Sequence, residues 1–203
     1  MVLSLAEFKA KVLERQIRNA IRKGRRFCSN VPDSELASVE DGHRMRTAAA
    51  ASCKNLLKAA REALDAAKAE GDSLAKLTGK LGVHSAYRTI PEDTAAWEGS
   101  FAQYYEETRV RRSAFPTGEH GPEALKLMTN MMISYKAAPG YSNHSNGVAV
   151  DFFTFHKGKK LRARKAQREA WRGTWLFAWL TDHAAEHNFK NLETEEWHWD
   201  YDG

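Results

Sequence analysis

The stretch HSNGVAVDFF, residues 144–153, sets a charged side chain inside what otherwise reads as a buried strand. Val148, Val150, Phe152 and Thr154 would face one way, with Ala149, Asp151, Phe153 and Phe155 facing the other. Residues 147–155 are thus the best strand of the chain. An unpaired carboxylate amid Val, Ala and Phe is costly, so Asp151 needs a partner. A strand advances about 3.3 Å per residue, and His144 can meet Asp151 only if the chain turns at Ser145-Asn146-Gly147. Gly147 permits that turn. Either the strand holds a metal-binding pair together, or its two polar ends are incidental.

A second constellation lies near the C-terminus, in Glu195-Glu196-Trp197-His198-Trp199. Strand alternation puts Trp197 and Trp199 on one face and Glu196 with His198 on the other. Glu195, three positions before His198, would point away from it in a regular strand. A bulge or bend before Trp197 would bring both to one centre. With His144 and Asp151, the two stretches supply two imidazoles, one carboxylate ligand and a spare glutamate. Three protein ligands with an open fourth position is the catalytic pattern for zinc, and the spare glutamate suits a general base. A surface acidic tail with two tryptophans packed inward is the plainer alternative.

A rival spelling is His183-Ala-Ala-Glu186-His187, the inverted zincin motif, whose histidines would lie one turn apart on a helix. It needs a third ligand from a further helix, and sixteen residues follow His187. The same pair would also suit the exposed C-terminal end of a helix. Arg88, in Ser85-Ala-Tyr-Arg at the end of a short strand over residues 81–87, reads by itself as a surface arginine, the alternative being a clamp for a carboxylate or an oxyanion.

Around these motifs, Ser4 and Glu7 spell a capping box opening an N-terminal helix. A second, alanine-rich helix spans about 45–70 and stops at Gly71. Residues 90–140 are rich in Pro and Gly and read as loops around helices near 93–111 and 122–134. One helix over 164–187, with Trp171, Trp175, Ala178 and Trp179 on a stripe, ends before Asn188 in a left-handed conformation. Residues 191–203 read as a final strand.

The composition, 42% hydrophobic and 28% charged over 203 residues, is that of an ordinary globular chain. No apolar run reaches the roughly 20 residues of a transmembrane helix, and the N-terminus lacks a signal peptide's order of basic, apolar and small residues. Cys28 and Cys53 read as free thiols, with one disulfide between them as the alternative, and no CxxC supports a thiolate zinc site. The net charge of +5 is uneven. Residues 1–30 carry eight Lys/Arg against two Glu, and residues 157–172 carry eight against Glu169. Such patches suit an anionic partner. A non-catalytic anionic-polymer or nucleic-acid binder is therefore an alternative function, but it leaves the ordered motifs unexplained.

Those motifs carry a resemblance. Ser85-Ala-Tyr87-Arg88, then Ser142-Asn-His144-Ser-Asn-Gly147-Val-Ala149-Val-Asp151, then Glu195-Glu-Trp-His198 are similar in type and order to the LAS metallopeptidases. These include VanY-type D-alanyl-D-alanine carboxypeptidases and phage L-alanyl-D-glutamate endopeptidases. The resemblance covers about residues 42–203. It implies an α+β fold of the hedgehog/DD-peptidase kind, a small central antiparallel sheet flanked by helices; the basic helical extension over 1–41 has no counterpart in the family pattern. It further implies one catalytic Zn²⁺ on His144, Asp151 and His198, Glu195 as base, Arg88 as catalytic and substrate-binding arginine, and Tyr87 and Ser142 in the substrate pocket. The implied substrate is the peptidoglycan stem peptide. The implied activity is D,D-carboxypeptidase, with endopeptidase as the alternative. Nucleic acid is not an expected partner. Lacking an export signal, such an enzyme would be made in the cytoplasm and reach the wall by phage release or by injection, with a secretion-machine or immunity partner. The sequence departs from the family pattern at Glu196, where proline is common, at Asn188, where glycine is common, and in lacking an obvious glutamine soon after Arg88.

Overall fold

The structure, a computed structural model, describes residues 3–203. In chain order its regular elements begin with α1 (Leu5–Arg22), β1 (Leu36–Ser38), β2 (Arg44–Arg46), α2 (Thr47–Glu70), α3 (Ser73–Lys76) and β3 (Thr78–Ser85). Next come α4 (Ile90–Glu107), α5 (Arg109–Ser113), α6 (Pro122–Tyr135), β4 (Ala149–His156) and β5 (Lys159–Leu161). The chain closes with α7 (Arg168–Arg172), α8 (Trp175–His183), β6 (Phe189–Leu192) and β7 (Glu195–Tyr201). Two units divide it: residues 3–30 with 89–145, and residues 31–88 with 146–203.

The first unit is helical. The capping box forms as spelled: Ser4 Oγ accepts from Glu7 N, and Glu7 reaches back to Ser4 N. α1 buries Phe8 and Val12 against Trp97 and Phe101 of α4 and Leu125 and Met128 of α6. Each such fully buried side chain contributes roughly 1.5–3 kcal/mol. Gln16 adds a polar tie: it accepts from Trp97 Nε1 at 2.6 Å and donates to Lys136 O at 2.8 Å. The N-terminal basic helix is therefore a packed helix, with its Lys and Arg side chains spread over the opposite, solvent-facing side.

Residues 90–121 are more ordered than a Pro/Gly count implies. Pro91 sits in the first turn of α4, where its missing N–H costs nothing, and Thr89 with Glu92 makes a second capping box. Arg112, fully buried, donates to Tyr105 O at 2.8 Å and Glu119 O at 3.0 Å and stacks 3.6 Å from the Tyr105 ring centroid. The helices expected near 93–111 and 122–134 are observed as α4 with α5 and as α6, and Arg112 ties the connection between them.

The second unit is built on a five-stranded antiparallel sheet of order β3-β4-β7-β6, with β5 also paired to β4. α2 covers one face through Cys53, Leu56, Leu57 and Ala60, meeting Val150 and Phe152 of β4 and Trp197 and Trp199 of β7. Gly71 stops α2 in the left-handed region at φ +95°, as its sequence position required. The α+β architecture expected from the motifs is the one observed.

Two expected elements divide. The helix over 164–187 breaks at Gly173, because Thr174 Oγ1 accepts from Phe177 N and restarts the chain as α8. Trp171 and Trp175 still join the core, and Asn188 follows at φ +57°. The final strand is a hairpin, β6 and β7, turning at Glu193-Thr194. Both cysteines are free thiols, and Cys53 is buried. Among the described residues no helix is long and apolar enough to cross a membrane.

Candidate metal centre

The sheet sets Asp151 between two neighbours. On β4 it pairs with Ser85 of β3 on one side and with His198 of β7 on the other. Residues directly opposite in antiparallel strands share a face, so Ser85, Asp151 and His198 form a row. That face is the one opposite Val150 and Phe152, which belong to the core. His198 Nδ1 lies 3.0 Å from Asp151 Oδ1, and Nε2 lies 2.9 Å from Asp200 Oδ1.

Gly147 makes the turn that the opening stretch required. Its φ is +72°, and a Cβ there would meet Arg46 Cγ at 3.2 Å and Arg46 N at 3.3 Å, so both the conformation and the space select glycine. Ahead of it, Ser142 Oγ accepts from His144 N at 3.2 Å. Taken over the described residues, His144, Asp151 and His198 each offer one ligand atom, and those atoms lie within 4.8 Å of one another. All three are buried.

The electrostatics fit a cation. Burial alone would push the His198 imidazole towards neutrality, but hydrogen bonds and charge from Asp151 and Asp200 overcome it and raise its pKa to about 10. Without metal, both ring nitrogens are thus protonated between two acceptor-only carboxylates. A place that holds a proton this firmly is one that favours positive charge. Two imidazoles and a carboxylate are borderline nitrogen and oxygen donors of the kind zinc takes. The donor set fits that ion.

Glu195 and His198 share β7, and a bulge brings them into one local structure. β6 pairs Leu192 with Glu195 and Asn191 with Trp199, so residues 196–198 are extra on β7. Asn191 Nδ2 spans the bulge, donating to Glu195 O at 3.2 Å and His198 O at 3.0 Å. Trp197 Nε1 donates to Glu195 Oε2 at 3.1 Å, fixing the carboxylate's direction. Arg88 donates from Nη1 to Ser85 Oγ at 3.1 Å, tying its guanidinium to the end of the row that contains Asp151. Tyr87 uses its hydroxyl to accept from Val31 N at 3.0 Å.

Glu196, expected by alternation to share a face with His198, is buried in a different cluster. Arg168 donates to both of its oxygens at 2.9 and 3.1 Å, and Arg172 Nε reaches Oε1 at 2.8 Å. Burial would raise its pKa, yet those hydrogen bonds leave it below the usual carboxylate range. Two arginines of the basic stretch 157–172, Arg168 half-buried and Arg172 exposed, are consequently paired with one buried carboxylate. His183 and His187 do not gather a metal group: His183 Nδ1 faces Glu186 at 3.1 Å in an exposed position. Sequence reasoning missed Asp200, although its alternation with His198 on one strand was a readable signal. It also missed Asn191, whose role depends on a bulge that spacing does not reveal.

The family model for VanY, D-alanyl-D-alanine carboxypeptidase, matches residues 42–203. The chain belongs to the VanY family. It is accordingly a metallopeptidase of peptidoglycan, as the ordered motifs implied. No curated protein matches the sequence. Among solved structures, VanYB in complex with D-alanine-D-alanine is similar, at 19% identity, TM-score 0.51, and coverage of 88% of this chain and 86% of that one. A glutamate-to-alanine mutant of the VanY D,D-pentapeptidase from a VanB-type resistance cassette, in complex with Zn(II), gives 18%, 0.50, 88% and 87%. The LdcB LD-carboxypeptidase gives 22%, 0.51, 86% and 71%. At these identities the solved structures establish a shared fold, while the VanY family model carries the membership.

Proposed function

We propose that the protein is a zinc-dependent D,D-carboxypeptidase that removes the terminal D-alanine from peptidoglycan stem peptides. The observation that carries this is the buried convergence of His144, Asp151 and His198 in a chain of the VanY family. The zinc-bound VanY relative and the D-alanine-D-alanine complex of VanYB add support for cofactor and substrate. Residues 42–203 form the peptidase domain in this reading, with 1–41 as an N-terminal extension whose helix is packed.

His144, Asp151 and His198 would hold the ion. Bound zinc supplies a Lewis acid that polarises the scissile carbonyl and lowers the pKa of water towards ~7. Asp200 keeps the His198 ring oriented through its second nitrogen. Glu195 accepts a proton at its carboxylate, with Oε2 anchored by the Trp197 indole, and passes it to the leaving amine. Arg88, anchored on Ser85, offers its remaining N–H groups to the substrate's terminal carboxylate or to the developing oxyanion. Ser142, which accepts from His144 N, and Tyr87 are the further substrate contacts in this reading. Action on stem peptides places the enzyme at the cell wall.

The test is product analysis. Purified peptidoglycan incubated with the protein should lose one alanine per pentapeptide stem by mass spectrometry, and a chelator should abolish the loss. Cuts inside the stem would make it an endopeptidase instead. No chelator-sensitive product on any wall type would overturn the reading.

A further inference from the structure

We infer that Asp93 is a positioning residue for the metal ligand His144. The inference rests on the zinc reading above. Asp93 lies in the first turn of α4, only 1% exposed. Its Oδ2 accepts from Ser145 Oγ at 2.8 Å and from Gly140 N at 3.2 Å. These two partners bracket residues 140–145, the loop that carries Ser142 and His144. One carboxylate oxygen thereby ties the start of the ligand loop to its end.

A helix-capping role does not explain this carboxylate. Thr89 and Glu92 already cap α4 reciprocally, and a first-turn acid serving the helix dipole has no need of burial. Burying a carboxylate is costly unless it is hydrogen-bonded, and two of the bonds that Asp93 makes are spent on this loop. Inside the loop, His144 N donates to Ser142 Oγ, and Ser145 is completely buried. Between the Asp93 tie and that inner turn, the backbone that aims the His144 imidazole has little freedom left.

The loop is also pinned from the N-terminal segment. Cys28 N donates to Gly140 O at 2.7 Å, Arg25 Nη1 donates to Tyr141 O at 3.1 Å, and Phe27 packs on Gly140 and meets Tyr141 edge-on. Removing the Asp93 carboxylate therefore leaves the loop attached to the unit, so the effect should fall on its precision.

Groups that hydrogen-bond a metal ligand directly typically set metal affinity by 10- to 100-fold, which bounds the effect of Asp93, whose tie runs through the neighbouring Ser145 and through Gly140. Zinc affinity of the full chain, measured by chelator competition, should fall about tenfold in Asp93→Asn, whose amide oxygen can still accept, and up to about a hundredfold in Asp93→Ala. Zinc-free Asp93→Asn should unfold at the wild-type temperature, which a general packing role would not allow. The d–d spectrum of the cobalt-substituted variants should shift in the same order. Unchanged zinc affinity in Asp93→Ala, or an affinity loss matching only the unfolded fraction, would overturn the inference alone. A wild-type chain that binds no zinc would overturn it together with the zinc reading.

Discussion

At His198 two carboxylates compete with burial, and the carboxylates win. Asp151 and Asp200 hold the imidazole as a cation in the metal-free protein, so metal must displace a proton there, as ligands generally require. Asp200 is the group that would remain on the ring once Asp151 turns to the ion. Asp200→Asn should weaken zinc binding by roughly 10- to 100-fold while leaving the ligand set intact; calorimetric titration would show it, and wild-type affinity would refute the role. At this scale the sequence was informative where residue types were unusual for their surroundings. Asp151 stood out among apolar neighbours, and so did His198 between two tryptophans. Asp200 was readable only from its alternation with His198, because an acid near an acidic C-terminus does not stand out by residue type.

At the scale of elements, the β6–β7 hairpin decides how the site is assembled. A regular β7 would point Glu195 away from His198; the bulge, stapled by Asn191, removes that objection. Asn191→Ala deletes two hydrogen bonds to carbonyls on either side of it, each contributing roughly 0.5–1.5 kcal/mol. It should lower kcat by about tenfold or more through misplacement of Glu195, with a Tm loss of a few degrees; steady-state kinetics and thermal unfolding measure both. An unchanged kcat would separate the bulge from catalysis. The need for a bend was legible from the three-residue spacing of Glu195 and His198. Its position was not, since the hairpin turn at Glu193-Thr194 lacks a Gly or Pro signal. The break in the helix over 164–187 did have a signal, Gly173 followed by Thr174, a stop and then a cap, but the tryptophan stripe running through both halves masked it.

Across the whole molecule, the ordered motifs lead to the family, while part of the basic charge is tied up in the fold. Arg168 and Arg172, counted as surface charge, are ion-paired to the buried Glu196, and the arginines of α1 ride on a helix whose other face is packed. The VanY family match spans the segment that the three motifs bracket, so fold and family were readable from about ten residues. What spacing alone did not disclose is how the loop at 140–145 is held, because Asp93 lies some fifty positions upstream in a segment that read as loop-rich. The proposed mechanism makes hydrolysis of the stem peptide depend on one zinc held by His144, Asp151 and His198. It is tested most directly by measuring zinc content and D-alanine release on the same preparations of wild type, His144→Ala and His183→Ala. One zinc per chain with chelator-reversible release in wild type and His183→Ala, and loss of both in His144→Ala, is the expected result. Retention of zinc by His144→Ala, with loss in His183→Ala, would contradict it.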